Sequence, residues 1–279
     1  MPKLSVIIPT HNEEKEISAC LKSLESQSLK DFETIIVDDG STDNTLQIIK
    51  SFPKIRLITG EHKGPGFSRN LGAKNAKGEI LIFIDADMTF SKDYLKNLIA
   101  PIKKENIGTT HDEEIVENIK NIWSRCWGRV RVSKKDADKV KVFRAIRKDK
   151  FLEMGGFDPL YGYADDQTFF FKYKIKPVVA PNTLCYHKNP ETLSKVYRQS
   201  RWIGASIEHK LLESNPINFL SPIMLLLLSP LTIPVLSIKK CYQLKEPAIF
   251  PQMLIFMIAR YFGTISGITR RIYLNKNTR

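Results

Sequence analysis

The sequence lacks the marks of several protein classes. Its four cysteines, Cys20, Cys126, Cys185 and Cys241, form no CxxC pair and follow no regular spacing. That pattern does not suggest a zinc site and favours free thiols in a reducing compartment. The opening residues MPKLSVIIPTHNEE hold an apolar run of only about five residues, which is too short for a signal peptide. We therefore expect a domain that is not exported.

Glycine-rich phosphate loops are also missing. The first predicted strand is followed by PTHNEE. A dinucleotide dehydrogenase needs GxGxxG at that point, and a sugar-phosphate nucleotidyltransferase needs a long glycine-rich loop there. Both enzyme classes are therefore disfavoured.

Negative charge is scarce relative to positive charge. The net charge is +13, which favours an anionic partner such as a nucleotide, a phosphate, nucleic acid or a lipid surface. Residues 118–150 hold 12 Lys/Arg against 3 Asp, a net charge of +9. This segment is either a solvated basic face or a docking surface for an anionic acceptor or headgroup. Nothing beyond charge supports nucleic-acid binding, so we expect no nucleic-acid partner.

Strands and helices alternate over the first 90 residues. The apolar runs LSVIIP, FETIIVD, IRLITG and EILIFIDAD predict four strands, and the segments between them have helical spacing or a glycine-opened helix start. This alternation predicts an α/β fold with a mostly parallel sheet and helices on both faces. Ligands of such sheets bind beyond the carboxyl ends of the strands.

The pattern is weaker beyond residue 100. We expect a helix over 113–127, a polar loop over 132–141, and a strand with a helical turn and a glycine turn over 141–158. Two further helices are expected, over 165–175 and over 191–213.

The composition changes near residue 215. Residues 219–238 form 20 residues without one charge, the length needed to cross a bilayer, and a second apolar stretch at 247–268 is interrupted by Arg260. We expect residues 1–215 to form the catalytic domain and 216–279 a hydrophobic, membrane-associated helical region. The alternative is a buried helical cap or an oligomer interface. The basic tail favours a cytoplasmic location.

Two carboxylates end the fourth predicted strand. Asp85 and Asp87 are separated by one residue, so on a strand they would point to the same face and repel unless a cation joins them. Mg²⁺ and Mn²⁺ take oxygen ligands and commonly bridge carboxylates to phosphates. We therefore predict a divalent metal site here, with His187 as a candidate late ligand for the metal or the diphosphate; for this lone histidine a structural role stays open.

Other charged residues follow the same strand ends. Asp39 closes the second strand and is a candidate ligand for a base or a ribose, or a cap of the next helix. Lys63 and Arg69 flank a glycine-rich turn and are candidates to neutralise a diphosphate, or surface charges. Asp165 and Asp166 are candidates for a general base acting on a hydroxyl, or for helix capping.

These motifs together resemble glycosyltransferase family 2, the inverting enzymes with the nucleotide-sugar-binding GT-A fold. The segments that carry the resemblance are VIIPTHNEE, IIVDDGSTDNT, GPGFSRNLGAKNAKGEILIFIDAD, GGFDPLYGYADD and RQSRWIG, over about residues 4–204. The resemblance implies a nucleotide pocket lined by Pro9, Thr10, Asn12 and Glu13. It also implies that Asp39 contacts the base, that Asp85 lies near the ribose and diphosphate, that Asp87 binds the metal and that Asp166 is the base.

Two positions depart from the family pattern. Asp165 stands where the family usually has Glu, which leaves the division of labour between Asp165 and Asp166 open. Arg198 stands where processive members have Gln in QxxRW, which disfavours a processive polymerase.

The predicted activity is transfer of a hexose from a UDP- or GDP-linked donor to a hydroxyl of a glycan or a lipid-linked saccharide, with Mg²⁺ or Mn²⁺. The first alternative is a polyprenyl-phosphate glycosyltransferase, whose anionic acceptor needs no base. The second is a non-catalytic nucleotide-sugar-binding membrane protein. We expect the enzyme at the cell membrane, with its catalytic domain on the cytoplasmic side.

Overall fold

A computed structural model of the chain describes residues 4–102, 106–206 and 216–277, with the side chains of all of these except 216–229 and 271–277. Contacts within the chain define two units. The sheet unit comprises Met1–Glu117, Val130–Pro159 and Asp165–Lys188, and the helical unit comprises Asn118–Arg129, Leu160–Ala164 and Asn189–Arg279. The predicted boundary at residue 215 borders residues 207–215, which lie outside the described part, and it stays a prediction.

The sheet unit contains one sheet of nine strands among its described residues. The strands are β1 Leu4–Thr10, β2 Phe32–Asp38, β3 Ile55–Thr59, β4 Ile80–Phe83, β5 Met88–Phe90, β6 Gly108–Val116, β7 Val130–Val132, β8 Ala145–Arg147 and β9 Val178–His187. The order is β3-β2-β1-β4-β8-β6-β9-β5, and β7 pairs with β6. The first four strands of this order are parallel, and the remainder is mixed.

Helices cover this sheet. Those of the sheet unit are α1 Ile17–Glu25, α2 Thr45–Lys50, α3 Pro65–Asn75, α4 Tyr94–Ile99, α6 Lys148–Glu153 and α7 Thr168–Tyr173. Alternate residues of β1 enter different cores: Val6 and Ile8 pack with α1 and α4, whereas Ile7 packs with α3, α6 and α7. Both faces are therefore buried, as fully apolar parallel strands require. The predicted α/β class is confirmed.

The helical unit holds α5 Ile122–Trp127, α8 Leu193–Ala205, α9 Pro216–Leu244 and α10 Phe250–Asn277. Cys126, Val196, Cys241, Met253 and Phe256 form part of its own apolar core. By length and composition alone, one helical stretch of the described residues, Pro247–Arg270, is long and apolar enough to cross a membrane. The other predicted stretch, 219–238, lies within α9, but its side chains up to residue 229 are outside the described part.

The region after residue 100 differs from the expectation in two places. The helix expected over 113–127 is a strand up to Val116, and the helix starts only at Ile122, where Asn121 caps it by accepting from two backbone N–H groups. Strand β9 was not expected at all. Its apolar pattern is broken at Asn182, which has a φ of 58° and lies at a shift in register against β6.

Candidate active site

The sheet unit contains all the site residues predicted from the sequence. Asp85 and Asp87 do not lie on a strand, because β4 ends at Phe83 and β5 begins at Met88. The expectation that strand alternation points them the same way is therefore wrong. They lie in the loop between the two strands, and each carboxylate has its own partners.

Asp85 is held by two arginines. Arg69 Nη2 donates to Asp85 Oδ1 at 2.7 Å, and Arg144 Nη1 donates to Asp85 Oδ2 at 3.0 Å. Burial alone would raise the pKa of Asp85, but the Arg144 and Arg69 guanidinium groups hold it well below its usual range. Asp85 is thus a fixed anion with both oxygens engaged. This arrangement favours Asp87 over Asp85 as a metal ligand.

Arg69 also reaches the second acidic pair. From α3, its Nη1 donates to Asp165 Oδ1 at 2.6 Å, although 96 residues separate the two in sequence. Burial would lower the pKa of Arg69, but the carboxylates of Asp165 and Asp85 raise it, so the guanidinium stays charged. One buried cation therefore joins the loop after β4 to the segment before α7.

Asp165 and Asp166 differ in their surroundings. Both lie in the 3-10 segment Pro159–Gln167, so α7 begins two residues after the pair rather than at it. Asp165 is buried, and burial raises its pKa to about 7, against the lowering effect of Arg69. Asp166 is only partly buried. Of the two, Asp166 is the more accessible to a substrate hydroxyl.

Gly66 makes room for Asp165. A Cβ atom added at Gly66, in the first turn of α3, would lie 2.7 Å from Asp165 Oδ2, closer than such atoms approach. The glycine lets α3 pass close to this carboxylate, with Arg69 less than one turn further along. The GPGFSRN segment thus places one arginine against two acidic groups.

Asp87 and His187 are the pair best suited to a divalent metal. His187 ends β9 and lies opposite Met88 in the β5–β9 ladder, and its Nε2 is 3.3 Å from Asp87 Oδ2. A carboxylate oxygen suits both Mg²⁺ and Mn²⁺ alongside phosphate oxygens, whereas the imidazole nitrogen at this separation favours the softer Mn²⁺ over Mg²⁺. Asp87 is partly exposed, so a bound ion would remain accessible to a substrate. The residues fit a metal shared with a diphosphate.

Asp39 organises the turn before α3. Its Oδ1 accepts from Lys63 N at 2.9 Å and Ser68 Oγ at 3.3 Å, and its Oδ2 accepts from Gly64 N at 2.9 Å. His62 Nδ1 lies 3.0 Å from the same Oδ2. A carboxylate offers about four acceptor positions, so these contacts occupy Asp39 almost fully. That Asp39 contacts a base stays a prediction.

The segment after β1 is fixed to the loop after β2. Pro9 and Thr10 end β1 and are buried. Asn12 has a left-handed φ of 56°, and its Oδ1 accepts from Thr42 N at 2.8 Å. Glu13 N donates to Thr45 Oγ1 at 2.8 Å. Asn tolerates this backbone conformation better than most residues, so the motif shapes a turn at the carboxyl edge of the sheet.

Lys63 behaves differently from its neighbour Arg69. It is exposed, its Nζ is 3.3 Å from Glu61 Oε2, and it lies 5.1 Å from the centroid of the Phe67 ring. The structure does not bring it to the acidic residues that Arg69 joins.

Sequence reasoning missed three residues near this site. Arg144 is buried, and its Nε has no hydrogen-bond partner among the described residues. It lies in a strongly basic stretch, where no sequence signal separates it from surface charges. His11 and His62 stack with ring centroids 4.2 Å apart beside Asp39. These two histidines could have been found from the sequence because they lie in PTHNEE and GEHKG, the segments that follow the first and third strands.

A second group of ligand-type side chains lies in the sheet unit. His111 Nε2 is 3.1 Å from Glu114 Oε2, while His111 Nδ1 is 3.5 Å from Cys185 Sγ and 3.3 Å from Tyr94 Oη. Different ring nitrogens face Glu114 and Cys185, so one ion cannot lie between all three along these contacts. The arrangement is a buried hydrogen-bond network, and it does not suit a metal.

Comparison with known proteins gives the family. The model described as "Glycosyl transferase family 2" matches residues 5–152, just over half of the 279 residues. TarS of Staphylococcus aureus, a poly(ribitol-phosphate) beta-N-acetylglucosaminyltransferase, is 40% identical over 113 residues, which are 38% of this chain and 20% of TarS. The match therefore spans about a fifth of that relative.

Another relative is matched over a longer stretch. The GalNAc(5)-diNAcBac-PP-undecaprenol beta-1,3-glucosyltransferase of Campylobacter jejuni is 30% identical over 193 residues, 63% of this chain and 61% of that protein.

Solved structures show the same fold. The mannosyltransferase PcManGT from Pyrobaculum calidifontis, in complex with GDP-Man and Mn²⁺, has a TM-score of 0.60 at 18% identity, over 95% of this chain and 87% of that one. A structure of S. aureus TarS with UDP-GlcNAc has a TM-score of 0.52 at 20% identity, over 96% of this chain and 92% of that one. Both are GT-A type glycosyltransferases. With the family model matching the strands that carry the acidic loop, the chain belongs to glycosyl transferase family 2.

Proposed function

We propose that this enzyme transfers a hexose, with inversion, from a UDP- or GDP-linked donor to a hydroxyl of a glycan or lipid-linked saccharide, using Mg²⁺ or Mn²⁺. The observation that carries this proposal is the bridge of Arg69 between Asp85 and Asp165. It joins the loop suited to a donor diphosphate to the acidic pair suited to an acceptor hydroxyl.

Asp87 and His187 would hold the metal. The bound ion supplies positive charge that stabilises the leaving diphosphate. The pair's separation of 3.3 Å and the partial exposure of Asp87 support this role. PcManGT, which has the same fold, was solved with GDP-Man and Mn²⁺. Asp85, engaged by Arg69 and Arg144, would orient the donor side without binding the metal.

Asp166 would act as the general base. As the acceptor oxygen forms its bond to the anomeric carbon, the bond from that carbon to the diphosphate oxygen breaks, and the hydroxyl proton moves to the Asp166 carboxylate. Attack opposite the leaving group inverts the configuration. Asp166 is more accessible than Asp165, and its buried neighbour is already bound to Arg69. These two differences support assigning the base to Asp166.

The acceptor is proposed from chemistry and from relatives. A carboxylate base serves a hydroxyl, whereas a polyprenyl phosphate is already an anion and needs none. The C. jejuni relative is named for a lipid-linked saccharide, and TarS for poly(ribitol-phosphate). A hydroxyl on a lipid-linked saccharide agrees with the base, the positive charge and the apolar C-terminal helix. We accordingly place the enzyme at the cell membrane, with its catalytic unit on the cytoplasmic side.

A transfer assay tests the proposal. The purified full chain is incubated with UDP- and GDP-sugars and lipid-linked saccharide acceptors, with Mn²⁺ or with a chelator. We expect transfer from one donor that requires the metal and falls steeply in Asp87→Asn and Asp166→Asn. Asp31→Asn, which changes an exposed aspartate, is the matched control. Normal transfer by folded Asp87→Asn and Asp166→Asn proteins would sink the proposal.

A further inference from the structure

The helical unit exposes two apolar stripes. On α9, the exposed side chains Leu231, Val235, Ile238 and Tyr242 recur every three or four residues, and Leu231 and Tyr242 are 80% and 85% exposed. Such spacing places them on one face of the helix. Several exposed apolar side chains on one helix face mark a docking surface, whereas single exposed apolar residues are common on any protein surface.

The second stripe lies on α10. Ile255, Ile258 and Phe262 are exposed and again follow helical spacing. The buried residues of the same helix, Met253 and Phe256, contribute to the core of the helical unit. Helix α10 therefore has one face in the protein and one apolar face outside it.

The protein-facing side of α10 is locked to α8. A Cβ atom added at Gly263 would meet the carbonyl oxygen of Tyr197, and one added at Gly267 would meet that of Arg201. On the other helix, a Cβ atom at Gly204 would meet the carbonyl oxygen of Thr264. Three glycines thus bring the two backbones into direct contact, and α8 and α10 pack closely along this seam.

Arg260 belongs to this inner face. Its guanidinium carbon lies 4.7 Å from the centroid of the Trp127 ring and 5.8 Å from that of Phe256, both within the helical unit. The one charge inside the apolar stretch is therefore turned into the protein and stacked on aromatic rings. It does not oppose contact of the outer face with lipid.

The contact with α8 decides how α10 meets a membrane. Helix α8 carries Lys195, Arg198 and Arg201 beside the glycine contacts. If α10 crossed the bilayer, α8 would bring these charges to the depth of the hydrocarbon, where they are costly. Because its inner side is packed against the charged helix α8 and only its outer apolar face is free, α10 can meet lipid by lying in the plane of the interface.

Charge identifies the surface that receives the stripes. Residues 216–279 contain eight Lys/Arg and one Glu, a net charge of +7. Lys239 is exposed on α9 next to Ile238, and Lys245, directly after the end of this helix, is also exposed. Apolar side chains flanked by basic ones complement a bilayer with anionic headgroups, and Tyr242 has the amphipathic ring enriched at membrane interfaces.

We propose that the helical unit docks on an anionic bilayer through the stripes of α9 and α10, with α10 lying in the plane of the bilayer rather than crossing it. This rests on the proposed function only in placing the enzyme at a membrane. It adds the docking face, the lipid charge and the in-plane orientation.

The first test measures vesicle binding. The full chain is sedimented with vesicles of phosphatidylcholine alone or of phosphatidylcholine with phosphatidylglycerol. We expect strong binding to the anionic vesicles only, weakened by salt, and at least tenfold weaker binding for the double variant Tyr242→Ser with Phe262→Ser. Leu152→Ser, at an exposed apolar residue of the sheet unit, is the matched control and binds normally. Equal binding by the double variant overturns the proposal.

The second test separates docking from spanning. All four native cysteines are buried, so single exposed cysteines can be introduced at the two ends of the apolar stretch Pro247–Arg270, as Gln243→Cys and Arg270→Cys. A membrane-impermeant maleimide is added outside sealed anionic vesicles carrying the protein. In-plane docking predicts that both positions are labelled to the same extent. Protection of one of them, or retention of the protein on the vesicles after alkaline carbonate extraction, overturns the in-plane orientation.

The same samples are titrated with UDP and GDP in the presence of Mn²⁺. Normal nucleotide binding with failed docking would contradict only the docking proposal. Normal docking without nucleotide binding would contradict only the proposed transferase function.

Discussion

The two acidic pairs of the sheet unit have the same division. In the pair after β4, Asp85 is bound by Arg69 and Arg144, whereas Asp87 is partly exposed and faces His187. In the pair before α7, Asp165 is buried against Arg69, whereas Asp166 is more open. Each pair thus has one member that is hydrogen-bonded to a buried arginine; Asp85 and Asp87 are equally exposed, at 28% and 27% of their side chains, so in that pair the difference lies in the partners. We therefore propose different roles for neighbouring carboxylates, a positioning role for Asp85 and Asp165 and a reactive role for Asp87 and Asp166.

The largest effect is expected from replacing Asp165 and Asp166 separately. We expect Asp166→Asn to lower kcat by about 10²–10⁴-fold, the usual contribution of a general base, with little change in the KM of the donor. Asp165→Asn keeps a partner for Arg69 and should cost far less. Steady-state kinetics with a saturating acceptor measure both. Equal losses in the two variants would contradict the division.

Removing the shared cation should destabilise the fold. Arg69→Met leaves Asp165 without its guanidinium partner and Asp85 with only Arg144. Breaking a buried ion pair on one side costs about 3–5 kcal/mol, so we expect a loss of this order in the free energy of unfolding, measured by urea denaturation. Arg144→Met leaves Asp85 bound to Arg69 and should cost less. A larger loss of unfolding free energy in Arg144→Met than in Arg69→Met would show that Arg69 is not the link between the two acidic pairs.

The assignment of Asp87 rather than Asp85 as the metal ligand is tested through the metal dependence of donor binding. Asp87→Asn should weaken Mn²⁺-dependent donor binding by at least about 10–100-fold, by analogy with the cost of disturbing a metal site. Asp85→Asn keeps Asp87 and His187 in place and should disturb the metal less than the orientation of the donor. Titration of the donor at several Mn²⁺ concentrations distinguishes a loss of metal affinity from a loss of donor affinity in each variant. A larger loss of metal affinity in Asp85→Asn would reverse our assignment.

The smallest effect expected is on the pH dependence of stability. Burial raises the pKa of Asp165 to about 7, with Arg69 opposing and Asp166 and Asp85 adding to the shift. The folded protein then binds more protons than the unfolded chain between about pH 4 and pH 7. This contribution to stability is present at low pH and is lost as the pH rises through 7, with a slope of at most about 1.4 kcal/mol per pH unit. Asp165→Asn should remove that slope from pH-dependent urea denaturation curves. An unchanged slope would contradict the raised pKa.

Part of this architecture follows from the sequence. The first four strands are predictable because Val6, Ile36 and Ile82 belong to continuous apolar runs that a sheet buried on both faces requires. Asp39, Asp85 and Asp87 are predictable as candidate site residues because they follow the ends of these strands, where ligands of parallel sheets bind. The glycine-opened start of α3 is confirmed by Gly64, whose φ is 92°.

The remainder depends on contacts that sequence patterns do not carry. Arg69 and Asp165 are 96 residues apart, and Arg144 and Asp85 are 59 apart, so no local spacing relates them. Strand β9 escapes detection because Asn182 interrupts its alternation. The inward orientation of Arg260 depends on Trp127, which lies in a different helix. Tertiary packing decides these features.

The most direct test of the central claim is calorimetric titration of a nucleoside diphosphate, UDP and GDP in turn, into three proteins: the native sequence, Asp87→Asn and Asp166→Asn, each with and without Mn²⁺. We expect Mn²⁺-dependent binding of one nucleotide by the native protein and by Asp166→Asn, and loss of the metal-dependent part in Asp87→Asn. Metal-dependent binding that survives in folded Asp87→Asn, or is lost in Asp166→Asn, would contradict it.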